Sequence, residues 1–421
     1  MKRPILLLVL LVSAATSILA ATPDPLRTGS LPQTPSAPVA GTEATDVPVV
    51  TSATTVAEGA VEVAGADLPD RSVETVEPVE AVRTPGMADP SAAAGIHPAG
   101  QSVGKEPVFT VQLHGTVRAK FEYQPDLGKS RFEVRNARFS LSGKVTPLVD
   151  YKAEIDLSDE GSIKMLDAYA RLNMLHRKLR LTIGQMRVPF TIDAHRSPHE
   201  QYFANRSFIA KQAGNVRDVG ATLGWSFGQT VPVTLEGGLF NGSGLTGQKD
   251  YWTRSFNYSA KARFLFTERV NLTLSIQKTH PDIVDIHMYD VGAYYENPLW
   301  HIEAEYLRKN YARDAFPGVN VVDAFVCRNV PLKSRALKQL SILARYDYMS
   351  DHSRGVADPD TGALVADDPE RHRVTGGVTF SLGLPFRADI RINYEAYFYR
   401  ATATPALSEQ DKFVAEFMVR F

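Results

Sequence analysis

The 421-residue sequence contains one cysteine, Cys327, which excludes an intrachain disulfide framework and leaves stability to architecture. It has no apolar run approaching the roughly 20 residues with which a helix crosses a bilayer. Its one concentrated apolar stretch, Ile5 to Val12, is shorter than that. It follows Lys2 and Arg3 and precedes small residues up to Ala21, which is the layout of a signal peptide over 1–20. The chain is therefore expected to leave the cytoplasm. Metal-ligand spacing is also missing: His195, His199, His280 and His287 are scattered, so no metal or other cofactor is expected. With no Gly-x-Ser-x-Gly elbow in the sequence, an enzyme is the least supported class.

From Thr22 to Val108 there is no Phe, Tyr or Trp, while twelve of the 87 residues are proline. Such a segment cannot bury enough apolar surface to offset its chain entropy. Residues 21–108 are read as a disordered, Pro/Ala-rich periplasmic tether. Twelve acidic residues against four basic ones give it a net charge of −8, which argues against a nucleic-acid arm. The formal charge of −1 thus divides into +2 on the signal region, −8 on the tether and +5 on residues 109–421.

What that last segment has in abundance is alternation of period two. Val111, Leu113, Val117, Ala119 and Phe121 oppose Gln112, His114, Thr116, Arg118 and Lys120. Ile390, Ile392, Tyr394, Ala396 and Phe398 oppose Asp389, Arg391, Asn393, Glu395 and Tyr397. The runs reach about ten residues, the length with which tilted strands cross a bilayer and longer than strands of soluble proteins. Aromatic residues such as Phe121, Trp225, Phe266, Trp300, Tyr346, Tyr348 and Phe398 gather at the ends of apolar faces, as in the girdles of outer-membrane barrels. About 16 strands are expected, starting near residues 109, 132, 149, 164, 178, 216, 231, 254, 270, 285, 299, 321, 337, 371, 386 and 411. Odd-numbered connections are mostly long and polar (124–130, 158–163, 188–215, 242–253, 280–284, 311–320, 350–370 and 401–410), and even-numbered ones are mostly tight turns.

That parity describes an all-β fold, a transmembrane antiparallel β-barrel over 109–421 with long loops on one side. It predicts a Gram-negative outer-membrane location with both termini periplasmic and outer-membrane lipids around the wall. A barrel of this size leaves a lumen wider than side chains fill. The connection 188–215 has apolar residues (Phe190, Ile192, Tyr202, Phe203, Phe208, Ile209) and, with its flanks, Arg187, Arg196, Arg206, Lys211 and Arg217 against Asp193 and Glu200. It is expected to fold inward as an anion-binding constriction. Inward Arg118, Arg138, Arg180, Arg345 and Arg391 are expected along the pore wall, where each is equally a partner for a carboxylate. Phe413, Phe417 and Phe421 share one face of the last strand and are expected to form the signal read by the barrel assembly machinery.

The runs RNARFSLSGK (135–144), YKAEID (151–156), LDAY (166–169) and IGQMRVPF (183–190), with Asn205-Arg206-Ser207 and the terminal Phe421, resemble the phosphate-selective porins O and P. The resemblance covers 109–421 and implies a 16-stranded outer-membrane porin, often a homotrimer, passing phosphate or other small anions between pore-lining arginines. The family also gathers lysines in its vestibule, and no equivalent cluster stands out here. Two other readings remain open: a plugged barrel that binds a partner through its long loops, and a general or sugar porin.

Overall fold

The structure, a computed structural model, describes residues 109–159, 161–213, 217–281, 283–400 and 403–421. The expected signal peptide and tether lie outside the described residues. The strands are β1 (Gln112–Gln124), β2 (Lys129–Thr146), β3 (Val149–Asp159), β4 (Ser162–Met174), β5 (Leu179–Arg187), β6 (Arg217–Phe227), β7 (Val233–Phe240) and β8 (Asn257–Thr267). They continue with β9 (Val270–Thr279), β10 (Ile286–Glu296), β11 (Trp300–Tyr311), β12 (Val319–Pro331), β13 (Leu337–Met349), β14 (Arg371–Leu382), β15 (Arg387–Tyr399) and β16 (Lys412–Arg420). Each pairs antiparallel with its neighbours in sequence, and β1 pairs with β16 to close the barrel. Closure leaves no edge, so the strands satisfy their backbone groups without water and can sit in a bilayer.

Side-chain alternation places the two faces in opposite solvents. On β15 the buried inward set is Asp389, Arg391, Asn393 and Glu395, while Ile390, Tyr394 and Phe398 are exposed on the outside. On β11, His301, Glu303 and Glu305 are buried inside, opposite Trp300, Ile302, Ala304 and Tyr306. Polar inside and apolar outside is the arrangement for a lipid-facing wall around a polar lumen. Among the described residues no helix is long and apolar enough to cross a membrane. The chain is thus an outer-membrane β-barrel with both barrel ends on the periplasmic side, where the short turns lie.

Two connections are shorter than expected. The β3–β4 reversal takes only residues 160–161, with Asp159 paired to Ser162. Gly161, at φ +92°, occupies a backbone region that side chains disfavour and so allows the tight turn. Between β1 and β2 only residues 125–128 are unpaired. The polar sequences there continue the paired strands instead of forming loops. The connection at 188–216 is long as expected, and so is that at 350–370.

At the seam, Phe421 exchanges backbone hydrogen bonds with Gly115 (2.8 and 3.1 Å), and its ring lies 6.3 Å from that of Phe139. A Cβ on residue 115 would stand 2.2 Å from the nearest carbon of the Phe421 ring, so the ring in this position leaves room only for glycine. Phe413 and Phe417 lie on the outward face of β16.

Candidate functional site

The loop between β5 and β6 contacts lumen-facing side chains of strands across the barrel. Apolar anchors drive this. Val188, Phe190, Phe208 and Ile209 pack with Met186, Phe240, Ile286, Met288, Leu307, Val319, Val321 and Met349. Phe203 packs on Phe325, Cys327 and Leu343. These wall residues are apolar at inward positions because the loop, not water, covers them. Cys327 is buried there, on the inward face of β12.

Polar pins hold the backbone. The amides of Thr191, Ala204 and Phe208 donate to Ser275 Oγ (3.1 Å), Asn393 Oδ1 (2.9 Å) and Asp347 Oδ1 (3.3 Å). Asp193 N donates to Glu305 Oε2 (3.3 Å), and the Ile192 amide also donates to Glu305. The ring of Phe208 meets the guanidinium groups of both Arg371 (4.6 Å) and Arg373 (4.5 Å).

The cations named from the sequence fall into different environments. Arg196 is buried in a two-pronged ion pair with Glu303 (Nη1 to Oε1 2.7 Å, Nη2 to Oε2) and stands 3.3 Å from Asp193. Burial alone would lower its pKa, but Glu303 outweighs that and raises it. Lys211 pairs with Glu409. Arg217 holds Asp167 (2.8 Å) and Glu154 (3.1 Å). Arg187 donates to the His195 carbonyl and to Ser197 Oγ (3.3 Å), and Arg206 donates to the Arg196 carbonyl (3.2 Å). Neither has a carboxylate within 4 Å among the described residues. Burial pushes the Arg206 pKa down to about 9, so it stays charged at neutral pH. For Asp193 burial favours the neutral acid, yet Arg196 and Arg206 outweigh it and lower the pKa. Burial, helped by Arg420, pushes His199 down to about 2, so this histidine adds no charge.

On the wall, Arg118 pairs with Glu416 (2.6 Å) and clasps the loop, donating to Gln201 Oε1 and the Ala204 carbonyl at 2.6 Å each. Arg345 pairs with Asp347 (2.9 Å), donates to the Asn205 carbonyl (3.1 Å) and lies over Phe203 (4.4 Å). Arg391 holds Glu416 (2.7 Å), and Arg138 holds Asp156 (2.8 Å).

A cavity of about 470 Å³ lies between the loop and the wall of β1–β8. Its lining includes Arg138, Lys144, Lys152, Arg171, Arg180, Arg187, Lys261, Arg263 and Arg420, nine cations, against Asp150, Glu154, Asp167 and Glu236, four carboxylates. Arg171 (Nε to Thr182 Oγ1 3.0 Å) and Arg263 have no carboxylate within 4 Å among the described residues. Both lie on inward positions readable from alternation, next to Tyr169 on β4 and Lys261 on β8, and both went unselected from the sequence. The three lysines in this lining come from β2, β3 and β8, so no local run announces them.

Residues 110–268 match the family described as phosphate-selective porin O and P, so the expected resemblance holds over that segment. The anion-selective porin from Comamonas acidovorans is a similar solved structure, with TM-score 0.53 at 11% identity, covering 74% of this chain and 99% of that one. The outer-membrane channel DcaP of Acinetobacter baumannii follows with TM-score 0.51 at 14% identity, covering 74% and 97%. Pseudomonas putida OprB has TM-score 0.51 at 10% identity, covering 74% and 93%. At these identities the likeness is one of fold, that of an outer-membrane porin. No curated protein matches the chain.

Proposed function

We propose that this barrel is a channel for passive diffusion of small anions, phosphate among them, with the loop at 188–215 as its constriction. It has no catalytic role, and it works as a homotrimer inserted by the barrel assembly machinery. The observation that carries the reading is the surplus of five cations around the 470 Å³ cavity. In a confined lumen such a surplus concentrates anions and repels cations. The loop cations divide between two tasks. Arg196, Lys211 and Arg217 are neutralised in ion pairs and position the loop, whereas Arg187 and Arg206 join the wall cations in attracting anions.

The test is the reversal potential of the purified protein in a planar bilayer under a KCl gradient. Anion preference is expected, with added inorganic phosphate reducing the chloride current. A cation-preferring channel sinks the reading. A barrel that passes no current supports instead a plugged interaction protein.

A further inference from the structure

We infer that a niche beside Tyr294, on the periplasmic side of the loop, is a subsite for planar ring-bearing carboxylates. The inference rests on the anion-channel reading and names a solute class within it. A second cavity of about 100 Å³ lies between residues 192–202 of the loop and strands β8 to β11, and shares His195, Lys261 and Arg263 with the larger one. Lys261 and Arg263 therefore stand where the two spaces join, while Arg196, the other arginine of the niche, is paired with Glu303.

The niche is aromatic within a polar lumen. Tyr294 stacks on His301 (centroids 5.3 Å, 27° between planes), and His301 stacks on Phe325 (5.2 Å, 17°) and lies 4.6 Å from Tyr202. His301 is held by Glu303 (Nε2 to Oε2 2.9 Å), so this group of four rings is locked in place. Tyr202 and Tyr294 are half-buried and line the cavity, and their hydroxyls have no hydrogen-bond partner among the described residues. Arg263 faces the same space without a carboxylate within 4 Å among the described residues, while Lys261 Nζ is fixed by the Thr191 carbonyl (3.0 Å) and His195 Nδ1 (3.2 Å).

A planar ring laid on Tyr294 would direct its carboxylate to Arg263 and Lys261, combining stacking with a charge-assisted hydrogen bond. Glu200 and Glu296 on the rim favour a single negative charge over a multiply charged solute. A neutral sugar is served less well, because Thr273 Oγ1 already donates to Asn271 Oδ1 (2.8 Å) and a neutral solute leaves the charge of Arg263 unanswered.

Chloride current through the reconstituted full-length protein, with benzoate, acetate or glucose added, tests this. Benzoate is expected to half-block at a lower concentration than acetate, and glucose to block least. Tyr294→Leu should shrink the benzoate-to-acetate preference roughly two- to tenfold, the range of one aromatic contact. Arg263→Gln, at the rim and without a carboxylate partner, should raise the half-blocking concentration of benzoate and gives an independent reading if the Tyr294 variant does not insert. Equal block by benzoate and acetate in the unmodified protein overturns the subsite, as does an unchanged preference in Tyr294→Leu or an unchanged benzoate block in Arg263→Gln. Stronger block by glucose replaces it with a sugar site. Wild-type reversal potential in KCl reports the anion channel separately, so loss of the subsite with anion preference intact leaves that channel standing.

Discussion

Changing Arg171 and Arg263 together to Glu isolates the contribution of the wall to selectivity. Neither has a carboxylate within 4 Å among the described residues, so neither change strands a buried partner. The lining moves from nine cations and four carboxylates to seven and six, a surplus of one where there were five. An ion about 8 Å from a unit charge in a water-filled lumen feels roughly 0.5 kcal/mol, and reversing two charges doubles that twice to about 2 kcal/mol. At physiological salt the Debye length is also about 8 Å, which cuts the sum to roughly 0.8 kcal/mol. The anion loses this and the cation gains it, so the anion-to-cation permeability ratio should fall roughly tenfold. At about 0.01 M salt the Debye length of about 30 Å leaves roughly 1.6 kcal/mol for each ion, and the same change should reach roughly two hundredfold. Reversal potentials of both proteins at the two salt concentrations measure it. Equal potentials with both proteins folded, or a shift that does not grow as salt is lowered, would refute the electrostatic account.

Arg196→Met leaves buried Glu303 with His301 alone, a loss of about 3 kcal/mol, whereas Arg196→Met with Glu303→Gln should recover most of that; thermal unfolding in detergent compares them. Ile392→Arg puts a cation on the lipid face at about 2–4 kcal/mol near the midplane and should reduce the heat-modifiable folded fraction on gels, while Ser140→Arg, in the cavity lining, should fold and raise anion preference. Deleting Phe421 should lower the assembled fraction in outer-membrane preparations, and Gly115→Val, which drives a side chain into the Phe421 ring, should do the same. Normal assembly of both would remove the terminal phenylalanine from the insertion signal.

The barrel was legible because alternation is a local property. All sixteen expected strand starts fall within three residues of those observed. Loop ends were less legible, since a polar residue continues a paired strand as readily as it begins a loop, as at 158–163. Pairing was hidden. That Arg196 meets Glu303 and Lys211 meets Glu409 depends on contacts between residues 107 and 198 positions apart, which no pattern within the loop encodes. A partial signal did exist. Phe325 and Leu343 occupy inward positions where water should have demanded polar groups, and they mark the part of the wall that the loop covers. Asn393, an inward site with nothing on its own strand to mark it as covered, receives the Ala204 amide, which is why Ser140 is the better place to add a lumen charge.

Shape and charge are therefore supplied by different residues, for a physical reason. A loop held inside a water-filled barrel needs fixed contacts, and a carboxylate is the strongest partner for a buried guanidinium because it offsets its desolvation. Arg196, Arg217 and Arg118 satisfy that requirement through Glu303, through Asp167 with Glu154, and through Glu416. In doing so they surrender most of the field they could present to a passing ion. A cation that is to attract solute must remain short of carboxylates, and the place to keep one so is a rigid strand facing open space, as Arg171 and Arg263 do beside the cavity. The number of basic residues in the inward loop consequently overstates its part in selectivity. Their sequence surplus is largely absorbed by carboxylates of β3, β4, β11 and the β15–β16 connection, and the surplus that remains for the solute lies around β1–β8.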